Sequence, residues 1–139
     1  MTEEETLAQL RRVPLLADLG EAPLGRIAGM VTEFEAPENH VLIERGHVGS
    51  GMFILEEGEV VVELVGREVR LGPGEYFGEM ALLSESGRRT ARVRTTTPVR
   101  CLAISRTDFG RLLEEEPRLG LVMLHVLARR LADLEQPGA

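Results

Sequence analysis

Gly74-Glu75-Tyr76-Phe77-Gly78-Glu79-Met80-Ala81-Leu82-Leu83-Ser84-Glu85-Ser86-Gly87-Arg88-Arg89-Thr90-Ala91-Arg92-Val93 is the most informative stretch of the chain. Gly78 permits close backbone approach or a positive φ, and Met80 to Leu83 suits one turn of helix behind it. A helix start behind a glycine offers free N–H groups and the positive end of a dipole, a common way of holding phosphate. Arginines gather just downstream, at Arg88, Arg89, Arg92, Arg94, Arg100 and Arg106, with Glu85 the one acid between Ser84 and Arg106. If Thr90 to Thr95 is a strand, Arg89, Ala91, Val93 and Thr95 share one face, while Arg88, Thr90, Arg92 and Arg94 share the other. Ala91 and Val93 mark the first as the core face, so Arg89 points inward, where a guanidinium is costly unless an anion meets it. Two arrangements answer that cost: an internal Glu79–Arg89 ion pair with no ligand, or an external phosphate on Arg89 with Glu79 accepting a hydroxyl.

Upstream, turn residues recur at Pro37, Gly46, Gly58, Gly66 and Gly72-Pro73-Gly74, and the apolar period is near two. This predicts strands at Val31–Ala36, His40–Arg45, Gly51–Glu56, Glu59–Val65 and Glu68–Leu71, followed by Thr90–Thr95 and Val99–Ile104. So many short strands are expected to close as an antiparallel β-barrel or jelly roll, a double-stranded β-helix, because closure removes exposed edges. Helical spacing frames them: Thr6–Val13 and Leu24–Val31 before, broken by Pro14, Gly20 and Pro23, and Asp108–Glu116 and Arg118–Glu135 after, with Thr107 as the cap. In the last helix Met123, Leu124, Leu127, Ala128, Leu131 and Leu134 form a stripe, and Leu119, Val122 and Val126 widen it beyond one buried face. That width suggests a partner helix in a homodimer, a lid over a ligand, or a deeply packed terminal helix. The expected fold is mainly β with flanking helices, one domain over residues 1–139: helices in 1–30, barrel in 31–106 and C-terminal helices in 107–136.

The chain has 139 residues, 43% of them hydrophobic, enough for one buried core and too few for a second domain. Its net charge of −7 disfavours non-specific nucleic-acid binding, which is mostly phosphate neutralisation by a basic surface. The apolar run Leu119 to Ala128 is interrupted by His125 and is shorter than the ~20 residues of a membrane span. The acidic start Thr2-Glu3-Glu4-Glu5 is unlike a secretory leader, and the single Cys101 reads as a small buried hydrophobe, so a cytoplasmic protein is expected.

Phe77-Gly78-Glu79-Met80-Ala81-Leu82-Leu83 with Arg89-Thr90-Ala91 resembles the phosphate-binding cassette of cyclic-nucleotide-binding domains, as found in the bacterial cAMP receptor protein, protein kinase regulatory subunits and nucleotide-gated channels. Gly46, Phe53-Ile54-Leu55 with Gly58, Gly74-Glu75, Phe109, Leu112-Leu113, Pro117 and Ala128-Arg129-Arg130-Leu131 extend the likeness to nearly the whole chain. The resemblance implies a cassette over residues 77–91 and a non-catalytic sensor whose ligand is cAMP or cGMP, with no other cofactor. Glu79 would accept from the ribose 2′-hydroxyl and Arg89 would pair with the exocyclic phosphate oxygens. Gly78, Ala81 and Thr90 would add backbone donors, and the Met80 helix start its dipole. The base would lie against Val69 and Leu71, capped near Leu134 and Glu135, where the receptor carries hydroxyl residues instead. The Thr90 hydroxyl could reach purine or phosphate; cAMP is the first expectation. The bacterial receptors continue into a helix-turn-helix domain, whereas this sequence stops at Ala139, so direct DNA binding is not expected.

Other chemistries find less support. His40, His47 and His125 lack the spacing of a metal-binding jelly roll, so no metal is expected. Neither Ser84 nor Ser86 stands in a nucleophile motif. The rival is a dimerising protein-interaction scaffold with a nucleotide-free pocket, filled by a Glu79–Arg89 ion pair. Either way a downstream protein partner is unidentified.

Overall fold

The computed structural model describes residues 2–79, 81 and 87–135. Thr2 Oγ1 accepts from the Glu5 N–H and caps α1 (Glu3–Arg11), whose first-turn glutamates sit at the positive dipole end. A 3-10 turn (Pro14–Leu16) leads to α2 (Glu21–Met30). Pro23 does not break this helix: it lies in its first turn, where the missing N–H would have no intrahelical partner.

Eight strands follow among the described residues: β1 (Thr32–Ala36), β2 (Val41–Ile43), β3 (Gly51–Glu57), β4 (Val60–Leu64), β5 (Arg67–Leu71), β6 (Tyr76–Phe77), β7 (Arg92–Thr95) and β8 (Val99–Ser105). Two helices come next, α3 (Arg106–Glu115) and α4 (Pro117–Glu135). The cap of α3 is Ser105, whose Oγ accepts from the Asp108 N–H at 3.1 Å, two residues before the expected Thr107.

The strands pair antiparallel in two four-stranded sheets, ordered β1-β8-β3-β6 and β2-β7-β4-β5. The expected β-barrel or jelly roll is therefore wrong. The sheets are neither closed nor curled, and the architecture is a mixed α/β fold of two open sheets with flanking helices. Closure fails at the short members: β2 has three residues and β6 two, too little ladder to carry one sheet into the other.

Strand alternation gives the first sheet two apolar faces. Phe53, Leu55, Phe77, Val99 and Cys101 meet Val60, Leu71 and Val93 of the second sheet. Met52, Ile54, Tyr76, Leu102 and Ile104 meet the helices, through Leu10, Leu24, Ile27, Phe109, Leu112, Leu119 and Met123. Cys101 is fully buried, and burial pushes its thiol up to about 12, so it is an apolar filler. The face of α4 differs from expectation. Leu119 and Met123 are buried with Val122 and Val126 packed beside them, while Leu121, Leu124 and Leu131 are 55%, 62% and 52% exposed. Arg26 ties α2 to the α3–α4 junction through Glu115 and Glu116.

Candidate functional site

The site forms where β6 runs into Gly78. Gly78 adopts φ +92, and a Cβ there would stand 2.9 Å from Arg89 Nη1, so both conformation and space require glycine. Helical backbone begins at Glu79. On the other side, the loop between β2 and β3 is laced to the segment entering β7. The Gly46 N–H donates to Arg89 O, the Arg89 N–H to His47 O, and the Gly49 N–H to Gly87 O.

Parity holds as read from the sequence even though β7 starts only at Arg92. Arg89, Ala91, Val93 and Thr95 are buried, Arg88 and Thr90 exposed, and Arg92 and Arg94 half-buried. Arg92 and Arg94 share Glu63 on the outer face. Arg89 is 9% exposed and donates from Nη1 to Gly78 O at 2.6 Å and from Nη2 to Gly51 O at 2.7 Å. Among the described residues it makes no ion pair. Burial, then the neighbouring Arg106, hold its pKa below the ordinary arginine value, and the Glu79 charge acts the other way.

Glu79 is 7% exposed and pairs elsewhere: Arg130 Nη1 donates to its Oε1 at 3.1 Å. Its Oε2 is buried with no partner among the described residues. Burial pushes the carboxyl up, against the pull of its own N–H, Arg130 and Arg89. Arg130 also donates from Nη2 to Tyr76 O at 3.0 Å and lies 4.9 Å from the Tyr76 ring centroid. The buried Glu79–Arg89 pair that would mark a filled pocket is thus absent, and two groups suited to a polar anionic ligand remain only partly engaged.

Both border one cavity of about 390 Å³, within the range of small-molecule sites. The sequence-designated Gly78, Glu79, Ala81, Arg89, Thr90, Val69 and Leu71 all line it. Met80 lies outside the described residues, as do the side chains of Leu134 and Glu135. Leu127, Arg130, Leu131 and Asp133 of α4 also line it, as do Arg67 and Glu68 of β5. Arg130 is the main residue the sequence reading missed; its signal was a charge on the apolar helix, one turn after Leu127. His40, His47 and His125 are exposed.

Residues 33–116 match the model of the cyclic nucleotide-binding domain. The chain belongs to this family. The cyclic nucleotide-binding domain is 37% identical over 107 residues to a cyclic nucleotide-gated potassium channel of Rhizobium etli, covering 77% of the chain and 30% of the channel. It is 35% identical over 109 residues to a cAMP-dependent protein kinase regulatory subunit of Emericella nidulans, covering 76% and 26%. Among solved structures, the Thermus thermophilus catabolite activator protein superposes with a TM-score of 0.74 at 31% identity, covering 88% of this chain and 61% of that one. The chain thus spans under a third of the two curated relatives. As a member of this family it is a non-catalytic, cyclic-nucleotide-binding regulatory module. No helix among its described residues is long and apolar enough to cross a membrane.

Proposed function

We propose that the cavity takes a cyclic purine mononucleotide, cAMP before cGMP, in a cytoplasmic sensor whose residues work as one domain. Arg89 holds the exocyclic phosphate oxygens, with Gly78, Met80, Ala81 and Thr90 around them. Glu79 accepts the ribose 2′-hydroxyl. Val69 and Leu71 support the base, and α4 caps it towards Leu134 and Glu135. The observation that carries this reading is the unmatched pair of groups at the cavity wall: among the described residues, a buried guanidinium bonded only to carbonyls and a buried carboxylate oxygen with no donor. A cyclic phosphate meets the first and a sugar hydroxyl the second.

Signalling follows from population shift: ligand favours the arrangement in which α3 and α4 close on the base, which alters the surface offered to a protein partner. Self-association is the partner reading that the surface favours. Leu121, Leu124, Ala128 and Leu131 are exposed at alternating spacings of three and four, the pattern of a two-helix seam.

Calorimetric titration with cAMP and cGMP, with Arg89→Ala as control, tests the site. Binding to the wild type and its loss in the variant are expected. Because Arg89 bonds two carbonyls and no carboxylate, its removal should cost only about 1–2 kcal/mol of stability. A folded wild type, free of co-purified nucleotide, that gives no heat with either ligand would refute the reading. Hydrogen exchange in α4 that is indifferent to saturating ligand would refute the closing motion.

A further inference from the structure

Arg106, the first residue of α3, does not line the cavity, yet its guanidinium is committed to the same backbone that holds Arg89. Its Nε and Nη2 donate to Gly49 O at 3.0 and 2.6 Å, and Nη2 also reaches Ala81 O at 2.9 Å and Gly87 O at 3.4 Å. Its backbone N–H donates to Ser50 O at 2.7 Å. The next carbonyl, Gly51 O, accepts from Arg89 Nη2 at 2.7 Å. Three successive carbonyls are therefore divided between two arginines, one in the cavity wall and one at the start of a helix.

The strap of Gly49, Ser50 and Gly51 has no slack. A Cβ at Gly49 would stand 2.6 Å from Ala81 Cβ and 3.0 Å from Arg89 Cζ and Nε. One at Gly51 would stand 2.5 Å from Ile104 O. Displacement of the strap therefore displaces the Arg89 guanidinium packed on it.

We propose that Arg106 is a positioning residue for the phosphate site: it fixes the Gly49–Ser50–Gly51 strap against Ala81 and Gly87, and the strap fixes Arg89. The inference rests on the functional reading above and adds a tie from the phosphate to α3, separate from the tie Arg130 makes between Glu79 and α4. It also gives the charge a purpose. Two guanidinium groups share one strap, and a phosphate on Arg89 offsets the repulsion between them, so occupancy favours the arrangement in which the start of α3 is held.

The test is cAMP calorimetry on wild type, Arg106→Met and Arg106→Lys, each melted first without ligand, with Arg106→Met repeated in an Arg89→Lys background chosen to keep binding measurable. Arg106→Met removes every donor at similar length, and affinity should fall about 5- to 150-fold, the usual range of coupling between sites. Arg106→Lys, which returns a cationic donor near the Nη2 position, should recover part of the loss. Once Arg89 is replaced, Arg106→Met should change affinity by less than about twofold, because a residue acting through Arg89 has nothing left to position. Equal losses in both backgrounds, or an Arg106→Met variant within about twofold of wild type, would overturn the proposal alone. A wild type that binds no cyclic nucleotide would overturn the functional reading and this inference with it. If Arg106→Met does not melt cooperatively, Arg106→Gln, which keeps a neutral donor on a shorter stem, takes its place and must show a loss of affinity with the same dependence on Arg89.

Discussion

Replacing Arg130 by Met keeps the length of the stem and removes the guanidinium that answers Glu79. In the wild type one carboxylate oxygen of Glu79 accepts from Arg130 and the other has no partner among the described residues, on a side chain 9% exposed. The variant therefore strands a buried carboxylate on both oxygens and also takes the donor from Tyr76 O. Breaking a buried pair costs about 3–5 kcal/mol; Arg130 is itself 29% exposed and the site opens on a cavity water can enter, so roughly 2–3 kcal/mol is expected at pH 8. The pH dependence follows from the direction of the Glu79 shift. Burial already raises its folded-state pKa above the ordinary 4.5, and losing Arg130 raises it further. A carboxyl raised on folding leaves the native state holding more protons than the unfolded one, so stability falls as pH rises from 4.5 through the folded value. The deficit of the variant should be small near pH 5 and largest at pH 8. Urea unfolding at both pH values, alone and in a Glu79→Gln background, measures this. A deficit that is equal at the two pH values, or undiminished beside Glu79→Gln, would refute the argument.

Gly78→Ala forces a side chain into φ +92 against Arg89 Nη1, and should cost about 1–3 kcal/mol in a thermal melt while weakening cyclic-nucleotide binding. Glu56, half-buried on β3, has its pKa pushed up to about 7 by burial and by Glu33 on β1, with Arg100 opposing and Glu57 adding. It holds in the native state a proton the unfolded chain releases above pH 4.5, so stability should fall between pH 4.5 and 7; Glu56→Gln should remove about 1–2 kcal/mol of that fall, discounted for exposure, as read from melts across the window. If α4 carries a self-association seam, Leu124→Glu should shift sedimentation towards monomer, and a wild type that is monomeric at every concentration tried would refute the seam.

The inward arginine was legible because a strand has a period of two and Ala91 and Val93 label its faces without ambiguity. Turn residues likewise placed seven of the eight strands. What pairing decides was not legible. Tyr76–Phe77 is too short to show a period, and is a strand only because Phe53 and Ile54 lie beside it. The strand order that leaves both sheets open belongs to contacts far apart in sequence. So does the Arg130–Glu79 ion pair, across 51 positions. The facing of α4 went astray because its apolar residues surround the helix, and the helical layer that α1 and α2 form over the first sheet, not the stripe itself, selects Leu119 and Met123 for burial.

Because neither sheet closes, the protein keeps four strand edges, on β1 and β6 in one sheet and β2 and β5 in the other. A closed cylinder would guard them by geometry; here the guard is chemical. The shorter edges, β2 and β6, offer three residues and two, too little backbone for a foreign strand to grip. The longer edges are charged along their length, Thr32-Glu33-Phe34-Glu35-Ala36 in β1 and Arg67-Glu68-Val69-Arg70-Leu71 in β5. Charges so placed oppose edge-to-edge pairing with a neighbouring molecule. Exchanging Glu35 or Arg70 for valine should leave the melt little changed and show instead as filaments or turbidity, a failure of colloidal stability in a chain still able to fold.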